Sequence, residues 1–359
     1  MPPGPHAPAL TCLELCAGAG GQALGLEQAG FSHTALVELD SDACTTLRVN
    51  RPQWNVIHAD IRVLDLTLLS ARWGRPSLLA AGVPCPPFSL AGKQRGADDE
   101  RDLFPAVMAV ASALQPRAIL LENVRGLLQK KFSEYRCQIL AALSDLGYVA
   151  EWKLLYASEF GVPQLRPRAV LVALGPEEFQ RFSWPEGESS AASTKLVGDV
   201  LRDSMASRGW ELADLWAARA QRIAPTLCGG SKKHGGPDLG PSRARKVWAE
   251  LGVDGSGLAD FPPAPGSLLP VRLTVRQMAL LQGFPPDWWF EGRKTSTYRQ
   301  VGNAFPPPVA QAVGRQIADA LTYASCVEEA YDNPQTGMRA STARSSRRPS
   351  ALRTPTASA

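Results

Sequence analysis

No apolar run in the 359 residues approaches the roughly 18–20 that a helical membrane span requires. The first ten residues, MPPGPHAPAL, lack a basic region followed by an apolar core, so no secretory signal is expected. Seven cysteines (12, 16, 44, 85, 137, 228 and 326) are scattered, and none joins a second Cys or His pair at finger spacing. That distribution excludes a zinc finger and suits a reduced, cytoplasmic protein without structural metal. A general excess of positive charge is also missing. Five of the arginines fall in residues 333–359, which hold no acid; the rest of the chain carries 33 basic and 34 acidic side chains. Any affinity for a polyanion must therefore come from local patches. Internal repeats are absent.

What remains has the composition of a globular enzyme, 45% hydrophobic and 20% charged. From residue 11 short apolar runs alternate with helical stretches. Strands are expected at Leu13–Cys16, Ala35–Val37, Asn55–Ile57, Ser77–Ala81 and Ala118–Leu121, then a pair near Tyr148–Tyr156 and Ala169–Leu174. Helices are expected at Gln22–Ala29, Asp42–Val49, Leu103–Leu114 and Tyr135–Leu146. The alternation predicts an α/β fold with a doubly wound, mostly parallel sheet. Residues 176–270 change texture: Gly, Pro and Ser are frequent, basic residues cluster (Lys232, Lys233, His234, Arg243, Arg245, Lys246) and periodic runs are few. They read as a separate, smaller, loop-rich domain. Regular structure resumes in LTVRQMALLQGF, where Thr274 and Gln277 form a capping box and Gly283 a stop. A last helix covers Val309–Leu321. The expected division is a flexible 1–10, a catalytic and cofactor domain 11–175, a second domain 176–270, a returning segment 271–325 and a disordered tail 326–359 rich in Ser, Thr, Ala and Pro.

Two loops carry chemistry. After the first strand, Gly18-x-Gly20-x-x-Ala23 fits a dinucleotide-type turn, with Glu38 at the end of the second strand placed to accept ribose hydroxyls. The same turn serves nicotinamide and S-adenosylmethionine enzymes, and on its own it does not choose between them. Asp60, in HADIR, is either an acceptor for an adenine amino group or a turn residue. The second loop, GVPCPPFSLAGKQRG, sets Cys85 among prolines that allow neither helix nor central strand. Cys85 then sits on a stiff loop at the carboxyl end of a strand, where ligands collect in open α/β sheets; a small buried hydrophobe is the competing reading.

Four further stretches follow in order: Glu122-Asn123-Val124, Gln164-Leu165-Arg166-Pro167-Arg168, Leu281-Gln282-Gly283-Phe284-Pro285 and Gly302-Asn303-Ala304. With the glycine loop and the Pro84-Cys85 loop they make six blocks whose sequence and order strongly resemble the DNA (cytosine-5) methyltransferases, over about residues 11–175 and 271–321. The resemblance implies a Rossmann-like S-adenosylmethionine-dependent sheet, with residues 176–270 as a target-recognition domain reading the major groove. It implies that Cys85 attacks carbon 6 of a flipped cytosine as a thiolate, that Glu122 holds and protonates ring N3, and that Arg168 faces the cytosine O2, with Arg166 supporting Arg168 or nearby backbone. For S-adenosylmethionine it points to Cys16, Gly18, Ala19, Gly20, Gly21, Glu38, Leu39, Asp60, Ile61, Gly82, Pro84, Leu103, Asn303 and Ala304. Ser89–Asp102 would be a lid over the flipped base. No residue declares itself the final base, and water is a candidate.

Three positions depart from the family pattern. Cys16 stands where a phenylalanine would lie against adenine, Pro86 replaces a glutamine after the cysteine, and no glycine follows Arg101. The expected partner is double-stranded DNA, with the enzyme a bacterial, nucleoid-associated monomer, solitary or paired with a restriction endonuclease. A tRNA cytosine-5 methyltransferase is the alternative from the same constellation. A nicotinamide oxidoreductase leaves Cys85, Glu122 and Arg168 without joint purpose, and a catalytically dead DNA-binding module leaves every reacting group unexplained.

Overall fold

A computed structural model describes residues 9–84, 102–187, 195–230 and 236–332, the last ten by their backbone alone. Cys85, Pro86, most of the expected lid, the Lys232–His234 cluster and residues 333–359 lie outside the described residues.

Seven strands form one sheet: β1 (Thr11–Leu15), β2 (Ser32–Glu38), β3 (Val56–His58), β4 (Leu78–Gly82), β5 (Ala118–Val124), β6 (Val149–Tyr156) and β7 (Pro167–Leu174). Their spatial order is β3-β2-β1-β4-β5-β7-β6. The first five are parallel, and β7 runs antiparallel to both its neighbours. β4 and β7 are buried along nearly their whole length, so they read as continuous apolar runs instead of alternating ones. The chain winds outward from β1 to β3 and then returns to β4, so the carboxyl ends of β1 and β4 form the switch point of the sheet. Ligands bind at such points in open α/β sheets.

Helices cover both faces. On one side lie α3 (Leu66–Trp73), α4 (Phe104–Leu114) and α5 (Ser133–Asp145); α3 was not anticipated, because its single buried residue, Leu69, leaves little pattern to read. On the other, α1 (Gly21–Gln28) packs against the final helix, α12 (Pro307–Asp332). Their axes approach closely because Gly25 has no side chain: a Cβ there would stand 2.3 Å from the Pro307 carbonyl oxygen. Helix α12 continues beyond the expected Leu321 to Asp332, entering the stretch from 326 read as tail. The sequence YASCVEEAYD holds good helix formers and no glycine or proline before Pro334, so nothing stops it sooner.

Residues 176–270 are more helical than their composition suggests: α6 (Pro176–Arg181), α7 (Val197–Ala206), α8 (Ala213–Arg219) and α9 (Ser242–Glu250). These helices are short, but α7 presents Val197, Leu201 and Met205 at a spacing of four to bury one face. With Trp210, Trp216 and Trp248 they share a single apolar cluster with Met278 and Leu281 of α10 (Val275–Leu281), and with Leu47 and Trp54 beside α2 (Ser41–Asn50) and β3. The Thr274/Gln277 capping box opens α10, and Gly283, at φ 88°, ends the segment. Helix α11 (Lys294–Asn303), also unanticipated, then brings the chain back to α1. Among the described residues no helix is long and apolar enough to cross a membrane.

Candidate active site

The sheet register sets the floor of the site. Gly82, the last residue of β4, pairs with Glu122 on β5, and Val124 pairs with Arg168 on β7. Glu122 is buried, and Arg168 Nε stands 2.7 Å from its Oε1, off the N–H axis, an ion pair and not a linear hydrogen bond. Burial pushes the Glu122 pKa up, against the guanidinium of Arg168 and, more weakly, that of Arg166. An acid whose pKa is raised by burial, beside a fixed cation, is better able to give a proton to a base and is then stabilised as its anion. Asn123, fully buried next to it, donates from Nδ2 to the Val83 carbonyl at 3.3 Å. That bond fastens the root of the Pro84-Cys85 loop to the strand that carries the acid. No role for Asn123 is evident from the sequence, although it lies inside the Glu-Asn-Val block.

On the donor side, Cys16, Gly18 and Gly20 all have positive φ, at 53°, 56° and 85°. Gly20 tolerates this and also lies under Leu47 and Trp288, which a Cβ would meet at 2.7 and 3.1 Å. The turn is held from outside. Gly18 N–H donates to Glu38 Oε2 at 2.7 Å, Leu39 and Asp40 N–H donate to Oε1 at 2.8 and 2.7 Å, and Trp288 Nε1 donates to the Ala19 carbonyl at 3.2 Å. Beneath it, Glu14 takes the Ala23 N–H and His33 Nε2 donates to the Ala23 carbonyl, tying the first turn of α1 to the sheet. Cys12, Glu14 and His33 place ligand atoms within 4.8 Å of one another, but the latter two are already committed to that peptide.

The donor set fits the adenosine end of S-adenosylmethionine. Three N–H groups use three of the roughly four acceptor sites of the Glu38 carboxylate, leaving capacity for a ribose hydroxyl. Cys16, Ile61 and Leu103 share one apolar cluster, and Leu39 holds an exposed apolar side chain at the rim. Ala304 lies against the glycine loop, where a Cβ on Gly21 would meet its Cβ at 3.1 Å. Asp60 is differently engaged. Its carboxylate accepts from Arg62 N and Nε at 2.9 and 3.0 Å, and these bonds lower its pKa. An adenine amino group must share it with Arg62. Asn303 donates to the Gly230 carbonyl at 3.2 Å, so its amide faces the 176–270 segment.

Of the two roles expected for Arg166, support of Arg168 or of nearby backbone, the contacts fit the second. Arg166 is fully buried at φ 23°, a sparsely populated conformation costing about 1–3 kcal/mol. Its guanidinium donates to three carbonyl oxygens, Leu227 at 2.8 Å, Gly302 at 2.8 Å and Ala304 at 2.6 Å. A side chain so occupied positions other groups and is not itself presented to a substrate. Gln164 and Gln282, whose roles the sequence reading left open, complete this buried network.

A switch-point glycine turn and a buried carboxyl–guanidinium pair on neighbouring strands suit an α/β enzyme of the methyltransferase type. Residues 10–245 and 267–319 match the C-5 cytosine-specific DNA methylase family. The chain is 56% identical over 315 residues to the Type II methyltransferase M.NaeI of Lentzea aerocolonigenes, covering 87% of this chain and 75% of that protein. It is 52% identical over 318 residues to M.NgoMIV of Neisseria gonorrhoeae, covering 87% and 98%. A prophage-encoded E. coli protein, described as a DNA modification methyltransferase, shares the fold at 23% identity and TM-score 0.62, covering 87% and 99%. The chain belongs to the C-5 cytosine-specific DNA methylase family. It is a DNA cytosine-5 methyltransferase with S-adenosylmethionine as methyl donor.

Proposed function

We propose that Cys85, Glu122 and Arg168 carry the reaction on a cytosine turned out of duplex DNA. Carbon 5 of cytosine is a poor nucleophile. Addition of the Cys85 thiolate to carbon 6, with Glu122 giving its proton to N3, converts the ring to an enamine whose carbon 5 is electron-rich. Arg168 offsets negative charge growing on O2 and receives the Glu122 carboxylate as it forms. S-adenosylmethionine, when bound, supplies the electrophilic methyl group. Loss of the carbon 5 proton, with water as the candidate acceptor, expulsion of Cys85 as thiolate and return of the N3 proton to Glu122 restore aromaticity and the starting enzyme. The observation that carries this reading is the buried Glu122–Arg168 pair with its upward-shifted acid, one strand from the loop that bears Cys85.

Glu38, Ile61, Leu39, Cys16, Leu103, the 18–21 turn and Ala304 would hold the donor; Asp60, Gly82, Pro84 and Asn303 are assigned to it on the family pattern. We assign 11–175 to catalysis, 176–270 to target recognition and 271–325 to the return. The basic face of α9, with Arg243, Arg245 and Lys246, supports the assignment to DNA. The Type II names of the relatives favour a modification enzyme of a restriction-modification system, with a cognate endonuclease, over a solitary methylase; a cytoplasmic, nucleoid-associated monomer is part of the same proposal and rests on the sequence alone. Replacing Cys85 with alanine is expected to abolish methylation while leaving donor binding intact. The assay is bisulfite sequencing of a plasmid from a methylase-free host, with labelled methyl transfer to tRNA as the counter-arm. Retained plasmid methylation in the variant, or transfer to tRNA alone, overturns the proposal.

A further inference from the structure

Three stretches distant in sequence meet at one buried polar joint. The first is the approach to β7. There Gln164 Nε2 donates to the Leu281 carbonyl at 3.0 Å and to Gln282 Oε1 at 2.6 Å, while its Oε1 accepts the Leu227 N–H at 2.9 Å. The second is the strip Ala224–Leu227 in the 176–270 segment, whose backbone also pairs with Pro163 and Leu165 through Ala224. The third is the C-terminal segment, where Gln282 Nε2 donates to the Ala304 carbonyl at 2.6 Å. Arg166 ties the last two together by donating to Leu227, Gly302 and Ala304, and it stands two residues before Arg168.

A joint that served stability alone could be made from apolar side chains at lower cost, since a buried guanidinium is expensive to desolvate. The fork of donors does something apolar packing cannot. It fixes, by direction, the carbonyls of one strip from the segment assigned to DNA and one from the segment beside the donor turn. Gly302 and Ala304 flank Asn303, whose own amide reaches Gly230 of the same DNA-assigned segment.

We propose that Arg166, with Gln164 and Gln282, is a positioning assembly through which engagement of DNA and binding of the donor are energetically coupled and aligned on Arg168. A group that binds at Ala304 restrains the carbonyls Arg166 grips. The same guanidinium then holds Leu227 in one position, and by reciprocity DNA held by the 176–270 segment that carries this buried strip favours the donor. The coupling rests on the donor and DNA assignments proposed above, and the test separates the two.

Binding of a labelled duplex carrying the enzyme's own mapped site is measured with and without S-adenosylhomocysteine, in the full-length protein and in Arg166→Lys. In the parent, S-adenosylhomocysteine is expected to tighten DNA binding. In Arg166→Lys that factor is expected to shrink by roughly fivefold or more while each ligand alone binds within about threefold of the parent. An undiminished factor in a folded variant, or no coupling in an active parent, overturns the proposal. Should Arg166→Lys fail to fold, Gln282→Ala, which removes the contacts to Gln164 and Ala304, carries the same expectation and the same refutation. A parent that transfers no methyl to duplex DNA would instead refute the assignment of function.

Discussion

The glycine turn and the Arg166 joint both bury polar atoms at the edge of one site, yet they are built by different means. At the turn the bracing contacts are mostly near in sequence: Gly18 to Glu38 spans 20 residues, and Glu38 caps its own successors Leu39 and Asp40. At the joint Arg166 reaches carbonyls 61, 136 and 138 residues away. A locally built element can be shaped by a handful of positions with special backbone demands. A non-locally built one depends on the whole chain having come together, and its residues gain their purpose only in the fold.

The same contrast decides what could be read in advance. The turn declares itself through glycines at positive φ, and the strand-helix alternation through apolar runs that only a buried parallel sheet accommodates. Strand positions β1 to β7 and the order of blocks were legible for that reason; the pairing of β5 with β7, which brings Glu122 beside Arg168, was not, because strand order is set by contacts between distant segments. The capping box at Thr274 was equally legible, being a rule about four consecutive residues. Short helices were not: α3 buries only Leu69, and α8 is seven residues long. Asn123 and Gln282 escaped because nothing local distinguishes a buried amide serving a distant carbonyl from an ordinary polar residue. Arg166 was visible as a motif residue that supports Arg168 or nearby backbone, but its motif could not say which three distant carbonyl oxygens it holds.

Perturbations of increasing mildness sharpen this division. The largest effect is expected for Glu122→Gln, which keeps the shape of the acid and removes its proton: kcat should fall by about 10²–10⁴. The parent should lose activity as pH rises through the upward-shifted pKa of Glu122, because only the neutral acid can protonate N3. The glutamine variant should lack that alkaline limb, and a pH profile of kcat/KM checks both. Any stability tied to the raised Glu122 pKa is likewise present at low pH and lost as pH rises through it.

An intermediate effect is expected at the local turn. Gly20→Ala forces a Cβ into a left-handed position facing Leu47 and Trp288, and should weaken donor binding at least as much as it lowers Tm. Titration with S-adenosylhomocysteine alongside thermal unfolding makes the comparison; loss of stability with unchanged donor affinity would mean that the turn only packs. The smallest effect belongs to Thr274→Ala. It deletes the side chain that caps α10 and should cost about 1 kcal/mol in denaturant unfolding while leaving kcat near parental values.

A covalent sulfur–carbon bond at position 85, formed with help from the acid at 122, is the step on which every proposed role depends. Duplex DNA with 5-fluorocytosine at the target base tests it directly, because fluorine cannot leave as a proton does and the adduct accumulates. Mass spectrometry of the digested complex should find the nucleotide on Cys85, accumulating far more slowly in Glu122→Gln. Methylation of ordinary DNA with no adduct, or with an adduct on another residue, would contradict the account.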